Sequence, residues 1–331
     1  MDLPTQPGHS MAHDFNLETY IQFLTANGNR YSGVEAAKAL QNTDDAPAHD
    51  SISRWLAGGS YQPHNLWKYV RSEATLDGNL IVDDTVLDKR WSPNNEIVRY
   101  HWSGNEHRTI RGISLVNLLA TDGEKCIPID YRVYEGAESA ITKNDHFQHM
   151  LDIAEKRGFT PRYVLADAWY GSLDNMKSIR KRGWKFIMGI KENRLVNETQ
   201  GNYVGISALD WTKKQVRKVW LKGFGLVLVA RIVFKNGDVR YLATNDLTLT
   251  DYERLSQESR QRWIIEEFHR GIKQTTGIEK CYSILKTSQL THIFACFVAF
   301  VRLEFERLKT KISWYEQKAH KVRSGMSHAF A

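Results

Sequence analysis

The sequence predicts an α/β protein: a mixed sheet with a β-rich insertion, preceded by a helical segment. Three observations point there. Apolar residues recur at helical spacing through about residues 15–72. From Asn79 to Tyr134 the pattern turns to successive β-rich segments, and from Asp145 to Ile190 helix and strand alternate. Composition supports a folded chain, since 42% of the 331 residues are hydrophobic and 11% aromatic, well above what disordered segments carry.

In order, Leu17, Tyr20, Ile21 and Leu24 mark a first helix and Val34–Leu40 a second. A polar loop, Asn42–Asp50, leads to a third helix opening on Ser51-Ile52-Ser53-Arg54, with Asp50 or Ser51 as the expected N-cap. Two short helices, a loop and a helix beginning with Ser and Arg fit a helix-turn-helix, in which Ser53 and Arg54 would face DNA. A plain helical cap on the main domain is the bland alternative. Residues 1–74 are therefore expected as a helical, DNA-binding domain.

Leu80-Ile81-Val82 runs into Asp83-Asp84-Thr85, and Ile97–Trp102, Ile110–Ala120 and Cys126–Tyr134 follow as strands. A helix over 145–157 precedes the buried strand Tyr163–Ala166, which delivers Asp167. The helix Ser172–Lys181 and the strand Phe186–Ile190 complete a β-α-β unit. Three adjacent strands followed by alternation is the order of an RNase H-like mixed sheet. Residues 195–248 read as a β insertion, with a hairpin signal at Asn236-Gly237. Asp251–Gln274 and Leu285–Glu316 read as helices, the second ending in a basic tail. The expected boundaries are 75–290 for the catalytic domain and 291–331 for the C-terminal helix and tail.

The formal net charge of +7 suits a polyanionic partner, although many soluble proteins share such an excess. Cys126, Cys281 and Cys296 lie far apart, so a disulfide framework or zinc spacing is not expected. No basic stretch followed by an apolar core opens the chain, and the apolar run near Ile293–Val301 is short for a bilayer. The expectation is a cytoplasmic protein with no membrane partner.

Three separated blocks carry candidate chemistry: Asp83-Asp84-Thr85, Asp167 with Tyr170, and Arg262-Trp263-Ile264-Ile265-Glu266-Glu267-Phe268-His269 with Lys273 beyond. At roughly 100° per residue, Arg262, Glu266, His269 and Lys273 fall within about 60° of one another on a helix. A surface salt-bridge ladder explains that stripe but not the two aspartates at the ends of buried strands. Phosphodiester transfer has to activate a nucleophile and stabilise a leaving oxygen, which two divalent ions roughly 3.5–4 Å apart can do. Mg²⁺ needs only a few carboxylates, and Mn²⁺ is a plausible substitute. Asp83 or Asp84, Asp167 and Glu266 would hold the metals, with Arg262, His269 and Lys273 on backbone phosphates. Lys191 and Arg194, after a strand near the site, could also touch DNA or be a solvated loop. Trp263 reads more readily as a core residue, and Asp246 as a turn residue.

These blocks resemble the DDE transposases of bacterial insertion sequences, in the cut-and-paste group with a Tyr-x2-Arg-x3-Glu-x6-Lys signature. Arg262-x3-Glu266-x6-Lys273 matches its last three members, while Ser259 stands where Tyr is expected. Asp83-Asp84-Thr85 resembles the first-aspartate motif, whose spacing to Thr favours Asp83, and Leu165-Ala166-Asp167 with Tyr170 resembles the second. The resemblance implies an enzyme of the bacterial nucleoid that binds inverted-repeat ends as a synaptic dimer. It would cleave there and use the exposed 3′-hydroxyl to attack target DNA. It also implies Glu266 as third metal ligand and phosphate contacts from Arg262 and Lys273. A decayed, non-catalytic DNA-binding relative is the main alternative. A carboxylate-pair hydrolase of a small substrate would leave the cationic stripe without a purpose.

Overall fold

Leu80–Val82 and Val164–Ala166 lie side by side as parallel strands and are almost wholly buried. Strands covered on both faces read as continuous apolar runs, which is why both stand out in the sequence. The computed structural model describes residues 15–28, 30–41, 47–104, 106–136, 138–199, 201–212 and 214–327, without the side chains of 325–327. Residues 1–14, and 42–46 of the expected polar loop, lie outside that set.

In chain order the elements are α1 (Leu17–Ala26), α2 (Gly33–Ala39), α3 (His49–Gly58), α4 (Trp67–Val70), β1 (Asn79–Asp88), β2 (Arg99–Ser103), β3 (Arg108–Thr121) and β4 (Ile127–Tyr134). Then come α5 (Lys143–Lys156), β5 (Val164–Ala166), α6 (Leu173–Lys181), β6 (Phe186–Ile190), β7 (Leu195–Asn197) and β8 (Val204–Gly205). Last are β9 (Val216–Leu221), β10 (Gly225–Val233), β11 (Val239–Thr244), α7 (Tyr252–Arg260), α8 (Trp263–Thr276), α9 (Lys286–Thr310) and α10 (Trp314–Ser327). They divide into a helical unit (1–65, 89–98 and 271–331) and a sheet unit (66–88 and 99–270).

The sheet unit holds eleven strands in the order β2-β3-β1-β5-β6-β11-β10-β9-β7-β8, with β4 also on β3. β3 pairs antiparallel with both β1 and β4, and β5 and β6 continue parallel to β1. This is the expected RNase H-like order, with α5 and α6 as the intervening helices. The β-rich stretch is no separate layer: β11 pairs antiparallel with β6, so these strands extend the same sheet. The hairpin at Asn236-Gly237 forms, with Gly237 at a φ of +87°.

In the helical unit α9 is the core, buried from Ile293 to Val301 and packed against α1, α3 and α10. At 25 residues it is long and apolar enough to cross a membrane by length and composition, beyond the short run read from the sequence. Some 83% of that window is buried inside the protein, the position of a core helix.

Three helix boundaries differ from expectation. α3 begins at His49 with Ala48 as N-cap and no side-chain cap, so neither Asp50 nor Ser51 fills that place. The stretch 251–274 is two helices, with Gln261 at the junction accepting from Asn79 at 2.8 Å and donating to Glu258 at 3.1 Å. The stretch 285–316 is also two, since Lys311 adopts a left-handed conformation at φ +61° and closes α9. A left-handed residue ends a helix by turning the chain away from the axis.

Candidate active site

Asp83 does not end its strand. β1 runs on to Asp88, and Asp83 sits at the level where its parallel neighbour β5 stops at Ala166. Asp167 is the next residue of that neighbour, so the register sets the two acids beside each other. Asp167 is held by its own loop, its Oδ1 accepting from the backbone N–H of Trp169 at 2.9 Å and of Tyr170 at 3.2 Å. Behind the loop, Gly189 on β6 has no Cβ to obstruct it. A Cβ there would meet the Ala168 nitrogen at 2.6 Å, so only glycine permits this approach without a shift.

Glu266 reaches the pair through Arg262. The guanidinium donates to Asp83 Oδ2 at 2.8 Å and to Glu266 Oε1 at 3.3 Å. α8 is seated by Ile265 and Phe268, both buried, while Trp263 is 55% exposed and not the core residue expected.

Asp84 has different company. Its Oδ1 accepts from the buried Tyr170 hydroxyl at 3.0 Å, and its Oδ2 from Lys143 at 2.6 Å. Neighbouring strand residues point to opposite faces, so the two acids are offered to different partners. Lys143 escaped the sequence reading. It lies within the first turn of α5, beside a capping box of Thr142 and Asp145, and nothing local marks it as the partner of an acid 59 residues away.

Electrostatically the cluster is under-neutralised. Burial, with Asp167 as the strongest adjoining charge, pushes the Asp83 carboxyl well above the usual carboxylate range. Burial likewise raises Asp167, against its two backbone hydrogen bonds and Arg262. Buried carboxylates of raised pKa beside one another lack positive charge, and their hard oxygens suit a divalent ion such as Mg²⁺. Among the described residues no group of three or more His, Cys, Asp or Glu side chains stands ready as a metal cage. Arg262 holds Asp83 and Glu266 by its own charge instead.

The other expected site residues are dispersed. His269 is buried, with its Nε2 3.0 Å from the Asn117 amide of β3, and so ties α8 to the sheet. Lys273 belongs to the helical unit and pairs with Glu279 at 3.0 Å. Ser53 and Arg54 are exposed on α3, opposite its buried Ile52 and Leu56. Lys191 and Arg194 line a cleft of about 770 Å³ that begins at Ala168 and Trp169, immediately after Asp167, and that also takes in Lys222. Arg194 donates to the Gly171 carbonyl at 2.8 Å, fastening the loop after β6 to the loop after Asp167. Trp169 is 50% exposed there.

The site is thus a carboxylate cluster on a mixed sheet, two acids from adjacent parallel strands and a third from the helix after the last strand. The family model described as the transposase DDE domain matches residues 76–302, and the chain belongs to that family. Among solved structures, the fold is similar to a piggyBac transposase in a synaptic complex with hairpin DNA, seen by cryo-electron microscopy. The TM-score is 0.56 at 10% sequence identity, covering 94% of this chain and 69% of that one. The Drosophila P element transposase strand transfer complex aligns more weakly, with a TM-score of 0.33 and 9% identity over 60% of this chain and 48% of that one, and carries no argument. No curated protein matches the chain.

Proposed function

We propose that this protein is a DNA transposase that binds the inverted-repeat ends of an insertion sequence, cuts there and joins the freed 3′-hydroxyl to target DNA. The observation that carries the reading is the under-neutralised pair Asp83 and Asp167 on adjacent parallel strands, linked through Arg262 to Glu266. Asp83, Asp167 and Glu266 would hold divalent ions, Mg²⁺ or in its place Mn²⁺. Those ions supply activation of the attacking oxygen and stabilisation of the leaving one. Asp84, bound to Lys143 and Tyr170, fixes the strand behind the site. The family supports the transposase assignment, and the neighbour's printed title supports DNA as partner, with a synaptic homodimer as the working assembly.

Lys191 and Arg194 in the cleft, and Ser53 and Arg54 on α3, are offered as DNA contacts. His269 is assigned the role of holding α8 in place. The test is Mg²⁺-dependent nicking of an end-containing duplex by the parent, Asp167→Asn and Glu266→Gln. Each variant should lose on the order of a hundredfold or more in rate; equal cutting by both variants and parent overturns the metal assignment.

One observation favours a second reading. Arg262 bridging Asp83 and Glu266, with no ready group of metal-holding acids among the described residues, is what a non-catalytic DNA-binding derivative would display. Duplex binding that is tight, indifferent to Mg²⁺ and never followed by cleavage would decide for it.

A further inference from the structure

The helical unit contains a hollow of about 430 Å³ that the carboxylate site does not use. Tyr31, Lys280, Tyr315, Lys318 and Arg323 line it, with Lys273 at its edge. The end of α8 and the adjoining residues form one side, and α10 forms the other. Lys280 and Lys318 approach the same ring, their ammonium nitrogens 5.4 and 5.6 Å from the Tyr31 centroid. Lys318 also donates to the Leu24 carbonyl at 2.6 Å and to the Tyr31 hydroxyl at 3.3 Å.

Lys273 is matched by Glu279, but among the described residues neither Lys280 nor Lys318 has a carboxylate partner. Two ammonium groups on one aromatic ring repel each other, and an entering anion would relieve that repulsion. Burial, with repulsion from Lys280 and Lys321 added, draws Lys318 down to about 8, the behaviour of a lysine short of negative charge. Gly277 closes the wall at a φ of +69°, and a Cβ there would lie 2.6 Å from the Tyr31 ring, so the ring's place is fixed tightly.

We propose that this hollow is a phosphate-binding site, formed by Lys280, Lys318 and Arg323 around Tyr31, and that its occupant is a backbone phosphate of duplex DNA. The proposal rests on the transposase reading for its source of phosphate; a free phosphate would satisfy the same chemistry. The ammoniums suit a phosphate as point charges, while the Tyr31 hydroxyl donates to the Asn27 carbonyl at 2.9 Å and so holds the ring between them.

The experiment uses the full chain. Duplex affinity is measured against salt for the parent, Lys280→Glu and the double variant Lys280→Ala, Arg323→Ala, both positions being exposed. Alongside, acylation of the Lys318 amine is followed with duplex DNA or with inorganic phosphate present. The variants should bind duplex more weakly, with a log–log salt slope shallower by about 0.9 for each phosphate no longer neutralised. Their single-turnover cutting at saturating DNA should match the parent, and duplex should protect Lys318. If the parent binds and cuts duplex while affinity, slope and Lys318 labelling stay unchanged, this proposal fails and the transposase reading stands. A parent that binds no duplex overturns that reading and the DNA source together. Protection by millimolar inorganic phosphate alone then keeps the site as one for free phosphate, and protection by neither removes it.

Discussion

Asp167 carries a charge that its surroundings disfavour, and this makes a sign-specific prediction. Its folded pKa is raised, so its contribution to stability is present below the unfolded value of about 3.9 and is lost as pH rises through the folded value. Asp167→Asn keeps the Oδ1 that accepts from Trp169 and Tyr170 but removes the charge. The variant should melt higher than the parent at pH 7 and at the same temperature near pH 3, while cutting no DNA. Asp246 is the opposite case. Tyr163, Lys185 and Thr248 donate to it at 2.9, 2.8 and 2.7 Å, and these bonds depress its carboxyl against the pull of burial. It is a turn residue as the sequence suggests, and also an anchor between β5, β6 and the turn after β11. Asp246→Ala should cost roughly 1–3 kcal/mol in urea unfolding at pH 7, by stranding the Tyr163 hydroxyl. Because this pKa is lowered, the deficit should shrink as pH falls below about 4.

Among the elements, the parallel pair β1 and β5 and the backing strand β6 fix the site, and Gly189 and Gly171 set how closely they approach. A Cβ on Gly171 would lie 2.2 Å from the Gly189 carbonyl oxygen. Gly189→Ala must therefore shift the loop 168–171 that carries the hydrogen bonds to Asp167. The expected result is a folded protein, by circular dichroism, whose nicking rate drops at least tenfold; an unchanged rate would show that the loop's position is immaterial. Gly277→Ala tests the helical unit in the same manner. Its left-handed φ and its contact with Tyr31 should lower stability by more than about 1 kcal/mol in a thermal melt. Much of this scale was legible beforehand. Continuous apolar runs identified the central strands, and alternation of strand and helix identified the β-α-β unit. The helix breaks at Gln261 and Lys311 were not: helical spacing runs on through Gln261, and the second break sits on a backbone angle that lysine seldom adopts.

For the molecule as a whole, metal and DNA should act as linked ligands. If Asp83, Asp167 and Glu266 hold divalent ions, Mg²⁺ at about a hundred times its dissociation constant should raise unfolding stability by about 2.7 kcal/mol. Sodium chloride of equal ionic strength should not, and Asp167→Asn should respond less than the parent. A thermal shift identical in both proteins would place the binding elsewhere. The division of the chain belongs to this scale too. Residues 15–65 share a unit with α9 and α10 from the other end of the sequence, joined by pairs such as the Tyr20 hydroxyl 2.8 Å from His292 Nδ1. Linear patterning carries no trace of a pairing 272 residues apart.

Local chemistry in the chain was enough to determine that the central strands are buried, that Asp167 follows one of them, and that Arg262 and Glu266 stand at helical spacing, since each depends only on neighbours within a few residues. Tertiary structure alone decided which acid meets which base. It set Arg262 on Asp83 and Lys143 on Asp84, turned His269 inward to Asn117, and merged the β-rich stretch into the main sheet. The physical reason is that charge pairing and strand order are settled by distance in space, which periodicity along a sequence does not encode.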